Sequence, residues 1–158
     1  MLLAEERALV VRYAQLMAKR GLTRGAGGNV SLRRGDRVAV TPSGVAYDRM
    51  RPEDVVVLDL AGAVVQGALR PSSESGMHLA CYRSRADLGA VVHTHSTYAT
   101  VWAQMGRAIP CYGTTHADYF KGDIPCTRKI TKEEIGRDYE KNTGKVIVET
   151  FCGLDPDV

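Results

Sequence analysis

The sequence predicts an α/β sandwich built on a mainly antiparallel sheet. Three observations carry that expectation. An amphipathic helix opens the chain, hairpin-type turns separate the first strand candidates, and helices lie between the later strands. Over residues 4–19, Leu9, Tyr13, Leu16 and Met17 recur at helical spacing, and Gly21 then stops the helix. The glycine-rich run Gly25-Ala26-Gly27-Gly28-Asn29 leads into a strand at Val30-Ser31-Leu32. Gly35-Asp36 reads as a hairpin turn, with the return strand over residues 37–41. Pro42-Ser43-Gly44 breaks the chain again.

Residues 55–60 read as a buried strand, Ala61-Gly62 as a turn and Val64-Val65 as the partner. Pro71 precedes a helix over about 73–83, a strand follows over 90–95, and a helix over about 96–105. The polar, glycine-dotted stretch 109–129 predicts loops with one short strand. Thr131-Lys132-Glu133-Glu134 has the capping-box pattern, Thr then Glu three residues on, and opens a helix ending near Gly144. Residues 145–151 are rich in β-branched side chains and predict a last strand. No repeat, low-complexity tract or linker divides the 158 residues, so one domain is expected.

Composition narrows the function classes. The chain is 44% hydrophobic and 25% charged, the balance of a soluble globular protein. A net charge of +3 gives no case for nucleic acid, and Arg33-Arg34, Arg49 and Arg51 read as solvated surface. No stretch reaches the ~18 apolar residues of a membrane span. Acidic and basic side chains at Glu5, Glu6 and Arg7 are unlike a secretory leader. Cys81, Cys111, Cys126 and Cys152 lack any C-x-x-C spacing, which reads as reduced thiols in a cytoplasmic protein rather than a four-cysteine zinc site.

The chemistry concentrates at His93-Thr94-His95, directly after the apolar run Ala90-Val91-Val92. On a strand, side chains repeat every second residue, so both imidazoles point one way and form half of a divalent metal site. A third ligand is then required, with His78, His116, Glu74 and other acids as candidates. Glu74 follows Pro71-Ser72-Ser73, where hydroxyls and backbone N–H groups at a helix start can hold an anion or simply cap the helix. His78 lies one helical turn after Glu74 and reads as a packed neighbour rather than a ligand. Gly27-Gly28-Asn29 and Thr41-Pro42-Ser43-Gly44 allow close backbone approach. Three such segments beside a metal pair suggest a phosphorylated substrate. Asp118, between small and aromatic residues, reads either as a loop-capping aspartate or as a group that donates or accepts a proton.

Taken together, these segments resemble the class II aldolase and L-ribulose-5-phosphate 4-epimerase family. The matching motifs are Gly28-Asn29-Val30-Ser31, Thr41-Pro42-Ser43-Gly44-Val45, Pro71-Ser72-Ser73-Glu74 and Val92-His93-Thr94-His95-Ser96. Gly113-Thr114-Thr115-His116-Ala117-Asp118-Tyr119-Phe120, Ile124-Pro125-Cys126-Thr127-Arg128-Lys129 and the run 143–151 resemble the epimerase branch. The fold implied is an α/β/α sandwich of the class II aldolase type.

The resemblance also implies zinc, or a similar divalent ion, on His93 and His95, with Glu74 a further ligand or the catalytic acid/base. Gly28, Asn29, Ser43, Gly44, Ser72 and Ser73 would hold phosphate. Asp118 would move a proton at the reacting hydroxyl, and Thr114 and Glu140 match secondary epimerase positions. The implied reaction breaks the C3–C4 bond of a ketopentose phosphate and remakes it on the other face of the aldehyde. An aldolase would instead release the aldehyde, and an adducin-like head would only bind. A cytoplasmic homotetramer is implied as well.

Two positions depart from the epimerase pattern. Glu74 stands where epimerases have Asp and sugar-phosphate aldolases have Glu, and Thr41 stands where Lys is common. Family members also continue past the position of Val158 into a strand with a third zinc histidine and C-terminal helices. The chain is therefore expected to be a truncated form with weakened zinc binding, little turnover and an exposed sheet edge prone to self-association.

Overall fold

The computed structural model describes residues 1–25 and 27–151. Ala26 of the glycine-rich run, Cys152 and the chain end at 153–158 lie outside the described residues. In chain order the elements are α1 (Ala4–Lys19), β1 (Asn29–Arg34), β2 (Arg37–Val40), a 3-10 turn (Pro52–Asp54), β3 (Val56–Asp59), β4 (Val64–Gln66), α2 (Ser75–Ser84) and β5 (Ala90–His93). They are followed by α3 (Thr97–Gln104), α4 (Thr114–Ala117), α5 (Lys132–Arg137) and α6 (Tyr139–Phe151). Among the described residues, no helix is long and apolar enough to cross a membrane.

The five strands form one sheet in the order β4-β3-β2-β1-β5, and every neighbouring pair is antiparallel. Strand alternation divides the core between its two faces. On one face, Val10, Ala14 and Met17 of α1 pack with Val30, Ala39, Tyr47, Met50 and Val55. On the other, Leu79 and Tyr82 of α2 pack with Val38, Val40, Val56 and Leu58. Helices on both faces make the expected α/β/α sandwich. Each large apolar side chain buried this way contributes roughly 1.5–3 kcal/mol. Buried Arg7 fixes α1 to the sheet by donating to the carbonyl oxygens of Leu2, Pro52 and Val55 and to the Gln66 side chain.

The C-terminal part corrects two expectations. Residues 145–151 are helical, not a strand: they belong to α6, which begins at Tyr139, while the capping box of Thr131 and Glu134 opens only the short α5. Local β-preference yields here to packing. α6 lies against α2, with Gly144 so close that a Cβ there would stand 2.7 Å from the Ala80 Cβ. Val146 is buried, and Thr150 Oγ1 donates back to its carbonyl at 2.9 Å, which removes the competing strand geometry. Within 109–129, the expected short strand is a single bridge between Ile109 and Ile124, and α4 is an added turn of helix.

Candidate functional site

The site forms where the sheet meets the start of α2. The loop after β2 and the segment before α2 are tied together by backbone bonds, Ser72 N–H to Thr41 O at 3.0 Å and Ser43 N–H to Arg70 O at 2.9 Å. Ser72 Oγ accepts from Glu74 N–H at 3.3 Å, a local turn just ahead of α2; the N-cap position itself is Glu74 and has no side-chain cap, so neither serine caps the helix. Gly28 turns the chain into β1 with φ +69°, a conformation glycine adopts without strain. Tyr47 Oη donates to the Gly28 carbonyl at 2.5 Å, and Thr23 Oγ1 donates to that of Gly27. Burial first, and then the Glu74 charge, push the Tyr47 phenol up to about 12, so it stays a neutral donor.

These segments enclose a cavity of about 240 Å³. Gly28, Asn29, Ser43, Gly44, Ser72 and Ser73 all line it, together with Glu74 and His95. All six residues expected to hold phosphate therefore share one wall. A second, larger cavity of about 660 Å³ is lined by His93, Thr94, His95 and one side of α3. His95 lines both, so the imidazole pair stands between an anion-sized cradle and a roomier space.

The expected strand over 90–95 ends at His93, so His95 lies just beyond β5 and is not set by strand alternation; the two rings are nonetheless close, with centroids 4.9 Å apart and planes tilted by 54°. His95 is held in place through its backbone N–H, which donates to Leu22 O at 2.9 Å. His93 lies opposite Asn29 in the β1–β5 ladder, and both reach Glu74. His93 Nδ1 donates to Glu74 Oε2 at 2.6 Å and Asn29 Nδ2 donates to the same oxygen at 2.5 Å. The bond from His93, then that from Asn29, hold the Glu74 carboxyl below its ordinary range despite partial burial. Glu74 is thus an ionised acceptor, and the His93 proton is assigned to Nδ1, leaving Nε2 open.

That arrangement fits a metal ion. A carboxylate on the far nitrogen is the usual support of a ligating imidazole. Two imidazoles on one tetrahedral zinc, with Zn–N of ~2.0–2.1 Å, have ring centroids about 5 Å apart, which matches the observed spacing. Among the described residues, no three His, Cys, Asp or Glu side chains form a metal-holding group, so these residues supply two imidazoles. His78 uses both ring nitrogens elsewhere, and His116 Nε2 donates to Gly122 O at 2.9 Å. Asp118 is exposed at the end of α4 and lines neither cavity. Thr114 and Glu140 line neither cavity as well.

A buried polar chain behind the site escaped the sequence reading. Ser31 Oγ lies 2.6 Å from His78 Nδ1 and 2.8 Å from Tyr82 Oη, and His78 Nε2 lies 2.5 Å from Asn29 Oδ1. The signal was present in the spacing: Glu74, His78 and Tyr82 recur every four residues, and Asn29 and Ser31 every two.

Burial first, then the nearby His93, push the His78 imidazole down to about 4 from 6.5. The unfolded state therefore binds this proton more readily, so its stability contribution is whole above pH 6.5 and is lost as pH falls toward 4. A shift of that size corresponds to on the order of 3 kcal/mol. Glu74, also depressed, loses its contribution in the same direction at still lower pH. Urea midpoints should fall steeply between pH 7 and 5 in the wild type and much less in His78→Gln. Parallel curves would refute the assignment.

An α/β/α sandwich with two adjacent imidazoles beside a small cavity lined by glycine and serine is in keeping with a class II aldolase, and the chain belongs to the class II aldolase and adducin N-terminal domain family, which matches residues 8–153. It is 57% identical over 131 residues to the L-ribulose-5-phosphate 4-epimerase UlaF of Salmonella paratyphi C and of Salmonella choleraesuis, across 82% of this chain and 58% of each relative. The chain thus spans less than two thirds of the length of these curated relatives. Among solved structures, an L-fuculose 1-phosphate aldolase superposes with a TM-score of 0.76 at 30% identity, covering 89% of this chain and 68% of that one. The L-fuculose-1-phosphate aldolase of Thermus thermophilus, at 23% identity and a TM-score of 0.71 over 93% of this chain and 72% of its own, shares the fold.

Proposed function

We propose that this site epimerises L-ribulose 5-phosphate and D-xylulose 5-phosphate at C4, with a divalent metal, zinc, on His93 and His95. The observation that supports it best is His95, which borders both the phosphate-sized cradle and the larger cavity. A substrate spanning the two would carry its phosphate among Gly28, Asn29, Ser43, Gly44, Ser72 and Ser73. Its reacting carbons would then lie beside the imidazoles. Backbone N–H groups and hydroxyls suit a phosphate because they donate without needing a fixed positive charge. Thr41 in place of lysine leaves the cradle dependent on those donors. When bound, the ion would supply Lewis-acid polarisation of the sugar oxygens. Glu74, ionised and adjacent, is the group we assign to taking a proton from the substrate. The 57% identity to epimerases supports this reading over an aldolase.

One feature favours the aldolase reading: Glu, not Asp, at position 74. The product separates the two. Purified protein with added zinc is expected to convert L-ribulose 5-phosphate to D-xylulose 5-phosphate, slowly because only two imidazoles among the described residues hold the ion, and chelation should abolish conversion. Accumulation of glycolaldehyde phosphate would favour an aldolase. Sugar-phosphate binding unaffected by chelators, with no conversion, would contradict both and leave a metal-free anion-binding module.

A further inference from the structure

The hydrogen bonds behind the site have only one consistent direction. Glu74 Oε2 accepts from His93 Nδ1 at 2.6 Å and a carboxylate oxygen in that position can only accept, so Asn29 turns its Nδ2 toward it at 2.5 Å. Asn29 Oδ1 then faces His78 Nε2 at 2.5 Å, and that nitrogen must carry the proton. His78 Nδ1 is left to accept from the Ser31 hydroxyl at 2.6 Å. Tyr82 Oη donates to the Ser31 carbonyl at 3.1 Å and also lies 2.8 Å from Ser31 Oγ, so its one proton is shared between the two oxygens of that residue. From Ser31 through His78 and Asn29, each proton points toward Glu74. No buried side-chain polar atom among the described residues lacks a partner, so the network has no slack to reverse one link alone.

We propose that His78, backed by Ser31 and Tyr82, is a positioning residue: through Asn29 it orients the Glu74 carboxylate so that His93 keeps its Nδ1–H tautomer and presents Nε2 to the cavity. An Asn29 amide turned the other way would set its oxygen against the carboxylate. His78, nearly fully buried between the sheet and α2, blocks that turn because its Nε2–H needs an acceptor. The ring thus acts at a distance from the cavity, touching neither substrate nor metal. The proposal rests on His93 being a site residue, and its test does not depend on turnover.

The test is long-range 1H–15N spectroscopy of the histidine rings in the full, metal-free, 15N-labelled chain near pH 7.5. His78 is expected in the Nε2–H form and His93 in the Nδ1–H form. In His78→Phe, His93 is expected to shift toward the Nε2–H form that free imidazole prefers, while His116 stays unchanged. His78→Gln, whose amide can donate to Asn29, should restore the His93 signature. Ser31→Ala, a smaller change, should release the His78 tautomer should the phenylalanine variant fail to fold. An Nδ1–H form of His78 in the wild type, or an unmoved His93 in a folded His78→Phe, overturns the proposal. Lack of epimerase turnover would count against the proposed function and leave these tautomers to be judged separately.

Discussion

Replacing Glu74 with glutamine is expected to lower turnover of L-ribulose 5-phosphate by roughly 10²–10⁴-fold, the range typical of losing a positioned proton-transfer group. The substitution is informative because it is nearly isosteric. A glutamine carbonyl oxygen can still accept from His93 Nδ1 and Asn29 Nδ2, the two bonds that now fix the carboxylate. What it cannot do is take a proton from a substrate hydroxyl. Steady-state kinetics should therefore show kcat falling with KM little changed, because a glutamine oxygen keeps the bond to Asn29 and the other five cradle residues are untouched. A rise in KM with kcat preserved would place Glu74 in binding rather than proton transfer. Zinc affinity should weaken by about 10–100-fold at most, the usual effect of altering the partner of a ligating imidazole.

Gly28→Ala is expected to cost more than about 3 kcal/mol in stability. Its φ of +69° already disfavours a side chain. An added Cβ would stand 2.5 Å from the His93 carbonyl oxygen and 3.4 Å from Met17 Cε. The methionine end can give way, but the carbonyl belongs to the strand that carries the imidazoles. The chain must either open the β1–β5 ladder next to the Asn29–His93 pair or rebuild the glycine turn. Thermal melting should show a drop of roughly 6–12 °C, from ~2–4 °C per kcal/mol at this chain length. Gly44→Ala shares the positive φ but meets nothing within 4 Å, so it should cost much less. Equal losses at the two positions would show that conformation, not the approach to His93, sets the cost.

The contrast between those two glycines shows what the chain could and could not reveal in advance. Both were legible as turns; the three segments holding Gly28-Asn29, Ser43-Gly44 and Ser72-Ser73 were legible as places where an anion can approach the backbone, and the family resemblance implied the set of six. The His93–His95 pair was legible from its spacing after an apolar run, but the strand stops at His93, and His95 is placed by its backbone bond to Leu22. α1, the Gly35-Asp36 hairpin and α2 followed from strong local patterns. α6 did not, because its β-branched run speaks for a strand until α2 is there to pack against. The polar chain through Ser31, His78 and Asn29 depends on contacts between residues 47 and 49 apart in sequence, which no local pattern reports. Asp118 carries a suggestive motif, yet the single chain leaves it outside both cavities.

Whether His93 and His95 together hold a metal ion at the mouth of the anion cradle is tested most directly by anomalous diffraction at the zinc edge, on crystals of the zinc-loaded protein. A peak is expected ~2.0–2.1 Å from Nε2 of His93 and bonded also to His95, with His93 Nδ1 still on Glu74. A zinc peak elsewhere, with both imidazoles unligated, would contradict the assignment.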